Sequence, residues 1–411
     1  MIPLLKGVRI IEIGAVVLGP YAGQILADLG ADVIKVEPLT GDVARASYPQ
    51  GAGAGALFVN NNRNKRALAI DLKSEEGHAA LMRMIAGADV LLHNIRADAA
   101  ARLRLSFADA RAANANIIYC AAAGFGSGGR YRERPAFDDI IQAASGLAGL
   151  AMETPSGSGE AEPRFVPTIL ADKVAALHVV YAILAALVAR GRGTAGAVDI
   201  EVPMFEAMAA FLLNEHLAAA TFRTDGDLHY PRMLSEDRRP FRTADAWIAV
   251  LPYTGAQWRR FLNEIGRNDV ATQPWFADAA MRQARLDELY AIVAAAMPAR
   301  STAAWLAALR ARDIPCSEVN RLSDLLDDAH LADVDFFGVD PTYPDDIVRK
   351  VPQPVRFGGL PVEPDTPPPA LGHDSRQVLA DAGLADDAIE SLIARGIVVT
   401  PAPALEESGL C

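Results

Sequence analysis

Through its first two hundred residues the chain alternates short apolar runs with helix-length stretches in which apolar positions recur every three or four residues. Val8–Gly14 (VRIIEIG) is a continuous apolar run ended by glycine, the pattern of a strand buried on both faces of a parallel sheet. Gly19-Pro20 then opens a helical pattern, Tyr21–Leu29, closed by Gly30. Proline just inside a helix start and glycine just past its end suit the backbone at the two termini. Asp32–Val36, Arg66–Leu72, Asp89–Ile95 and Ile117–Ala122 repeat the strand pattern, and Glu75–Ile85 is a helix between two of them. The alternation predicts a doubly wound α/β domain that binds its ligand at the carboxyl ends of the strands.

Two long helical stretches follow, Phe137–Leu150 and Leu170–Ala189, separated by a Gly/Pro/Ser/Glu-rich loop, Glu153–Pro163. Strand-like Ala197–Val202 leads into the helix Met204–Ala219. From about Thr224 to Cys316 the composition changes, with Trp247, Trp258 and Trp275 in this part. Alternation in Trp247–Leu251 predicts a strand, and Trp258–Ile265 and Leu286–Ala296 predict helices, so a smaller α+β domain is expected here. Beyond Leu322 the chain resumes polar loops, passes through a proline-rich stretch (Pro361–Pro369) and ends in a helical hairpin near Ser375–Arg395. No internal repeat is present.

Composition narrows the function. A chain of 411 residues with 51 % apolar residues builds a large core, and its length favours two domains. The net charge of -12 argues against a nucleic-acid partner, which calls for a basic face. The cysteines are Cys120, Cys316 and Cys411, with no C-x-x-C pair, so neither a metal ribbon nor a dithiol site is expected and a reducing compartment fits. The N-terminus (MIPLLKGVRIIEIG) lacks the basic region and cleavage site of a signal peptide, so the expected location is the cytoplasm. Val174–Val188 is the most apolar stretch, but it is alanine-rich and carries His178, and it reads as a buried helix with no membrane role.

Several motifs are missing. The turn after the first strand, Gly14-Ala15-Val16-Val17-Leu18-Gly19-Pro20, spaces its glycines too widely for the G-x-G-x-x-G of a dinucleotide site. There is no G-x-x-x-x-G-K-[ST] loop for ATP and no G-x-S-x-G elbow for a serine hydrolase.

The string LKGVRIIEIGAVVLGPYAGQILADLGADVIKVEPLTGD closely resembles the start of class III CoA-transferases, the CaiB/BaiF-type group that includes formyl-CoA transferase and the carnitine CoA-transferases. The likeness continues through Asn60–Gly77, Ala88–Leu103, Arg134–Gly146 (RPAFDDIIQAASG), Ile169–Leu187 (ILADKVAALHVVYAILAAL) and Val198–Met208. It resumes at Ile314–Leu331 and Pro369–Leu379, so it spans nearly the whole chain in one order. It implies a Rossmann-like large domain built from both chain ends. The expected boundaries are 1–223 for its first part, 224–322 for the small α+β domain, and 323–411 for the segment that returns. It also implies an interlocked homodimer.

Asp172 falls on the family's nucleophile. Taken alone, an Asp at the head of an apolar helix reads first as an N-cap, and a helix N-terminus stabilises a carboxylate in either role. The resemblance implies that the carboxylate attacks an acyl-CoA thioester, giving a mixed anhydride and then an aspartyl-CoA thioester. Substrates would be an acyl-CoA donor and a free carboxylic acid acceptor, with no tightly bound cofactor. Phe137 stands where the racemase branch of the family places a His, and a racemase needs a base on each face of the α-carbon. Asp138, next to it, is expected to shape the site.

The same matches imply the coenzyme A contacts. Val16 and Val17 would line the pantetheine and the thioester. Ile70, Leu72 and Lys73 would hold the adenine, and Pro38 stands where some relatives have an arginine for it. Asn94 and Ile95 end the fourth strand. Arg102 matches a phosphate-binding arginine. Met204 matches a position near the reactive centre. The region His229–Phe261 lacks the glycine run of formyl-CoA transferase, and Arg238 and Arg239 there are candidates for meeting the free carboxylate of a dicarboxylic acid such as that of succinyl-CoA. Two rivals stand beside transfer: a 2-methylacyl-CoA racemase or epimerase, and a non-catalytic acyl-CoA-binding protein.

Overall fold

In the computed structural model the apolar runs become six parallel strands: β1 (Arg9–Ile13), β2 (Asp32–Glu37), β3 (Lys65–Ile70), β4 (Val90–His93), β5 (Ile118–Ala123) and β6 (Val198–Pro203). The structure describes residues 1–153, 162–340, 342 and 348–401. The strands lie in the order β3-β2-β1-β4-β5-β6, so the sheet grows in opposite directions from β1 and β4. A short strand near the chain's far end, β7 (Val398–Val399), runs antiparallel along β3 with Val398 opposite Ile70, and covers that edge.

The helices that bear on the site are α1 (Leu18–Asp28), α2 (Glu75–Ala86), α3 (Asp138–Ala144) and α4 (Ala171–Gly191). Alternation along β1 decides which layer each side chain enters. Ile10 packs with Leu26 of α1 and Val179 of α4, whereas Ile11 and Ile13 enter a second core with Leu81 and Ile85 of α2. Each such buried aliphatic side chain stabilises the fold by roughly 1.5–3 kcal/mol. α2 starts where Ser74 Oγ accepts the Gly77 N–H at 3.0 Å, with Glu75 and Glu76 in its first turn, where the helix dipole favours acids.

Glu12 breaks the apolar pattern of β1 and is fully buried. Lys35 of β2 and Lys65 of β3 reach it at 3.3 and 2.7 Å, and Lys35 also pairs with Asp42 at 3.0 Å. Gly23 of α1 leaves room for this carboxylate, since a Cβ there would lie 1.9 Å from Glu12 Oε2. Removing one partner from such a buried cluster costs about 3–5 kcal/mol.

Two expectations change, and two others lie partly or wholly outside the described residues. The single helix expected over Phe137–Leu150 is broken: α3 stops at Ala144, and a separate turn spans Leu150–Glu153. Gly146, at φ +91°, adopts the left-handed conformation that terminates helices. Of the Glu153–Pro163 loop, residues 154–161 lie outside the described residues, as does Cys411. α4 is buried along one face only, with Leu177 and Tyr181 52 % and 59 % exposed. Among the described residues it is the one helix long and apolar enough to cross a membrane.

Met1–Leu147, Phe165–Phe211 and Phe336–Cys411 form one compact unit, and Ala148–Arg164 with Leu212–Asp335 form another. Beside the expected 224–322, the second unit runs from Leu212 to Asp335, and among the described residues 148–153 and 162–164 cluster with it. Composition shifts where the tryptophans begin, whereas packing recruits flanking segments that carry no compositional mark. This unit holds an antiparallel sheet of Phe241–Arg242, Trp247–Val250 and Cys316–Glu318, packed on helices that include Gly255–Glu264 and Leu286–Ala296. Trp258, Phe261, Phe276 and Trp305 fill its core.

Candidate active site

Where the sheet reverses between β1 and β4, the segments leaving the two strands diverge, and a cavity of about 680 Å³ opens at their carboxyl ends. That place and size are usual for a small-molecule site in an α/β sheet. The β1–α1 turn forms one wall, the segment after β4 another, and the heads of α3 and α4 close the far side.

The β1–α1 turn is strained. Val16 sits at φ +67°, a left-handed conformation that costs a β-branched residue about 1–3 kcal/mol. Its N–H donates to both carboxylate oxygens of Asp42, at 3.2 and 3.3 Å. Burial opposes ionisation of Asp42, but Lys35 and the N–H groups of Ala44 and Val16 outweigh it and hold the carboxyl below the usual range. Lys35 also donates to the Gly14 carbonyl at 2.9 Å. Across the cavity, Asn94 clamps the same turn: its Oδ1 accepts the Ala15 N–H at 3.0 Å and its Nδ2 donates to the Ala15 carbonyl at 2.9 Å. A Cβ on Gly14 would lie 3.3 Å from the Gly19 Cα, so the widely spaced glycines serve the closure of this turn. The turn presents the Leu18 N–H, at the start of α1, to the Asp172 carboxylate.

Asp172 is the second residue of α4, and the capping residue is Leu170, whose side chain makes no cap. The carboxylate that satisfies the helix start belongs to Asp138, in the first turn of α3. Its Oδ1 accepts the N–H groups of Ala171 and Asp172 at 2.6 and 3.3 Å. The N-cap reading of Asp172 is therefore corrected: another helix supplies the cap, and the Asp172 carboxyl faces the cavity. Gln142, one turn along α3 and fully buried, fixes this arrangement. Its Nε2 donates to Asp138 Oδ2 at 2.6 Å, and its Oε1 accepts the Val166 N–H at 2.9 Å. Burial, and then the Asp138 charge, push the Asp172 carboxyl up to about 6, against the stabilising N–H groups of Leu18 and of Asp172 itself.

Phe137 occupies the N-cap position of α3 and is 70 % exposed beside the cavity. Val16, Val17, Asn94, Ile95 and Met204 join it in the lining. Ile70, Leu72, Lys73 and Arg102 are not among the lining residues. Ile70 is 1 % exposed and packs into the core, and the Lys73 N–H bonds to Asp71 at 2.9 Å on an exposed turn. Arg102 is exposed and pairs with Asp98 at 3.0 Å. Arg239, in the second unit, pairs with Asp237 at 3.5 Å.

The cavity also holds residues the sequence reading passed over: Leu18, Ser127, Glu201, Arg96, Arg132 and Arg134. Glu201 of β6 accepts the Ser127 N–H and Oγ–H at 2.8 and 3.0 Å, anchoring the segment after β5. The signal for that segment was its composition, GFGSGGRYRER over 124–134, where glycines and arginines follow a strand end. Among the described residues no imidazole lines the cavity, and no cluster of His, Cys, Asp and Glu is arranged for a metal. A basic, cavity-facing carboxylate beside a fixed N–H donor is suited to nucleophilic attack on an acyl carbon.

Residues 5–375 match the family described as CoA-transferase family III. The chain is 30 % identical to a succinate–glutarate CoA-transferase of Agrobacterium fabrum, over 92 % of this chain and 96 % of that one. It is 28 % identical to a Mycobacterium tuberculosis protein named a "Probable fatty acyl-CoA transferase", over 92 % of this chain and 97 % of that one. The crystal structure of a CaiB/BaiF family protein from Brucella suis superposes with a TM-score of 0.76 at 26 % identity, covering 93 % of this chain and all of the other.

Proposed function

The chain belongs to CoA-transferase family III, and from that premise we infer that Asp172 carries coenzyme A from one carboxylic acid to another as a covalent intermediate. Family membership makes it an enzyme that transfers CoA, with CoA thioesters as substrates. The observation that carries the mechanistic reading is the Asp172 carboxyl itself: it is not engaged in capping α4, its pKa is about 6, and the Leu18 N–H points at it.

At pH 7 a carboxyl with that pKa is ionised in about nine molecules of ten. It is nevertheless more basic, and so a better nucleophile, than an ordinary Asp. Attack on the donor thioester carbon forms a C–O bond, and collapse breaks the C–S bond, leaving a mixed anhydride and CoA thiolate. The thiolate attacks the Asp172 carbonyl and expels the donor acid as a carboxylate, leaving aspartyl-CoA. The acceptor carboxylate then attacks that carbonyl, and the thiolate leaves and returns to the acceptor's acyl carbon. Asp172 is regenerated with no net proton change. Two of these steps place an oxyanion on Asp172's own carboxyl oxygen, where the Leu18 N–H stands; such a donor contributes about 3–4 kcal/mol.

A racemase reading lacks a second base of the expected kind, since Phe137 stands at the His position and no imidazole lines the cavity. A binding protein without turnover has no need of a raised, uncommitted carboxyl. For the donor we propose a dicarboxylyl-CoA such as succinyl-CoA, in line with the name of the Agrobacterium relative. The interlocked homodimer belongs to the same proposal, supported by the exposed apolar face of α4, as does a cytoplasmic location. Sedimentation should give about twice 43.7 kDa, and a stable monomer would remove the dimer. The transfer itself is tested by incubating the protein with a panel of acyl-CoA donors and carboxylic acids and reading new thioesters by mass spectrometry. Exchange with at least one pair is expected, and binding without exchange across the panel would contradict it.

A further inference from the structure

The cavity around Asp172 carries three arginines, which differ in what they already meet. Arg132 Nε donates to Glu133 at 3.2 Å, and Arg96 lies close enough to Asp98 to favour its ionised form. Arg134 has no carboxylate partner among the described residues. Its guanidinium carbon lies 3.8 Å from the centre of the Tyr131 ring, and its backbone N–H donates to the Tyr131 carbonyl at 2.8 Å. Tyr131 is itself held edge-on against Phe125 at 5.6 Å and Phe205 at 6.4 Å. The aromatic cluster thus packs against the guanidinium and leaves its N–H edge without a carboxylate partner among the described residues, an edge that suits bidentate binding of a planar oxyanion.

The other charges on the walls include Asp138, Asp139, Asp172 and Glu201, so a substrate anion finds few places to rest. The reacting end of the donor is an uncharged thioester, and the acceptor's reacting carboxylate has to stay free to attack the Asp172 carbonyl, so a guanidinium on this wall suits an anion that does not react. That anion is either a second carboxylate on the acyl chain or a phosphate of coenzyme A. Arg134 begins an unbroken stretch of cavity wall, Arg134 to Asp139, that includes Phe137 and the Asp138 that caps the nucleophile's helix. It stands on the wall of the reacting carbon. Arg96 stands on the wall beyond β4, beside Asn94 and Ile95.

We propose that Arg134 binds the second carboxylate of a dicarboxylic acid and so makes the enzyme select diacids over monoacids; this rests on the transfer reaction above. The test uses the full chain with succinyl-CoA as donor and glutarate or butyrate as acceptor, in wild type, Arg134→Leu, Arg134→Lys and the Arg238→Ala/Arg239→Ala double variant. Wild type is expected to prefer glutarate. Arg134→Leu should lower kcat/KM for glutarate by about a hundredfold or more, leave exchange between butyryl-CoA and a second monoacid within about threefold, and be partly rescued by Lys. The monoacid exchange also shows that the variant is folded. The double variant should keep the preference.

Equal loss with diacids and monoacids would overturn the proposal. If that equal loss vanished with succinyl-pantetheine, which lacks the phosphates, the group read by Arg134 would be a CoA phosphate. A wild type whose kcat/KM for butyrate equals that for glutarate would also overturn it while leaving the transfer reaction standing. A wild type that exchanges CoA with no acid would remove both.

Discussion

Asp138 and Asp172 stand at the head of one helix, and only Asp138 is committed to it. The Asp138 carboxylate accepts the Ala171 and Asp172 N–H groups at 2.6 and 3.3 Å, so the Asp172 carboxyl shares its own N–H with a competing acceptor. It also adds a like charge nearby. The capping residue thus keeps its neighbour basic.

This arrangement has a thermodynamic cost at neutral pH. The folded pKa of Asp172, about 6, lies above the ordinary 3.8, so between these values the folded state holds the proton more tightly than the unfolded chain. Wild-type stability should therefore fall as pH rises from about 4 to 6 and level off above. Asp172→Asn escapes this loss and should be more stable at pH 7 by about 1–3 kcal/mol. Its advantage should disappear below about pH 4. Urea midpoints at several pH values measure this, and an Asn variant less stable at pH 7 would contradict the assigned environment.

On the proposed route the same carboxyl sets the acid limb of activity. kcat/KM should fall below about pH 6 with the titration of one group. Asp138→Asn removes the like charge, so the limb should move to lower pH. Turnover should drop by about a hundredfold, because the head of α4 loses its fixed position. A limb that stays in place would show that burial alone raises the Asp172 pKa.

Val16 tests the strained turn. Val16→Gly relieves a left-handed valine and should raise stability by about 1 kcal/mol, once glycine's own flexibility is counted. Turnover should fall as the Leu18 N–H loses its fixed aim. Equal or lower stability in thermal unfolding would argue that the Asp42 clamp, and not the backbone conformation, dominates the energetics here.

Gln142 should behave as a structural keystone with a functional consequence. Gln142→Leu leaves Asp138 Oδ2 and the Val166 N–H without the bonds Gln142 gives them. A loss of about 2–4 kcal/mol is expected in chemical denaturation, with turnover lowered as well. An unchanged midpoint would mean that water replaces the amide.

Much of this fold was legible because local pattern and final structure agree. The runs around Ile10, Ile34 and Leu91 are too apolar for any place but a sheet covered on both faces, and their ends fell within one or two residues of the observed strands. Asp172 was singled out through resemblance alone, since its local context reads first as a cap. What gives it its chemistry was not legible, because the bond from Asp138 spans 34 residues and joins two helices. Gln142 left a faint mark as a polar residue four positions after Asp138, but that spacing also describes ordinary surface pairs. Arg134 was hidden by its exposed, loop-like surroundings, and only the placing of Tyr131 against its guanidinium marks it out.

The covalent route is tested most directly by trapping. The protein is incubated with an acyl-CoA donor it turns over, treated with hydroxylamine and digested, and the peptide containing Asp172 is weighed by mass spectrometry alongside that of the Asn variant. The account predicts a hydroxamate at Asp172 that requires the donor, and no CoA exchange by the Asn variant. Continued exchange by that variant, or exchange by wild type with Asp172 never modified, would contradict it.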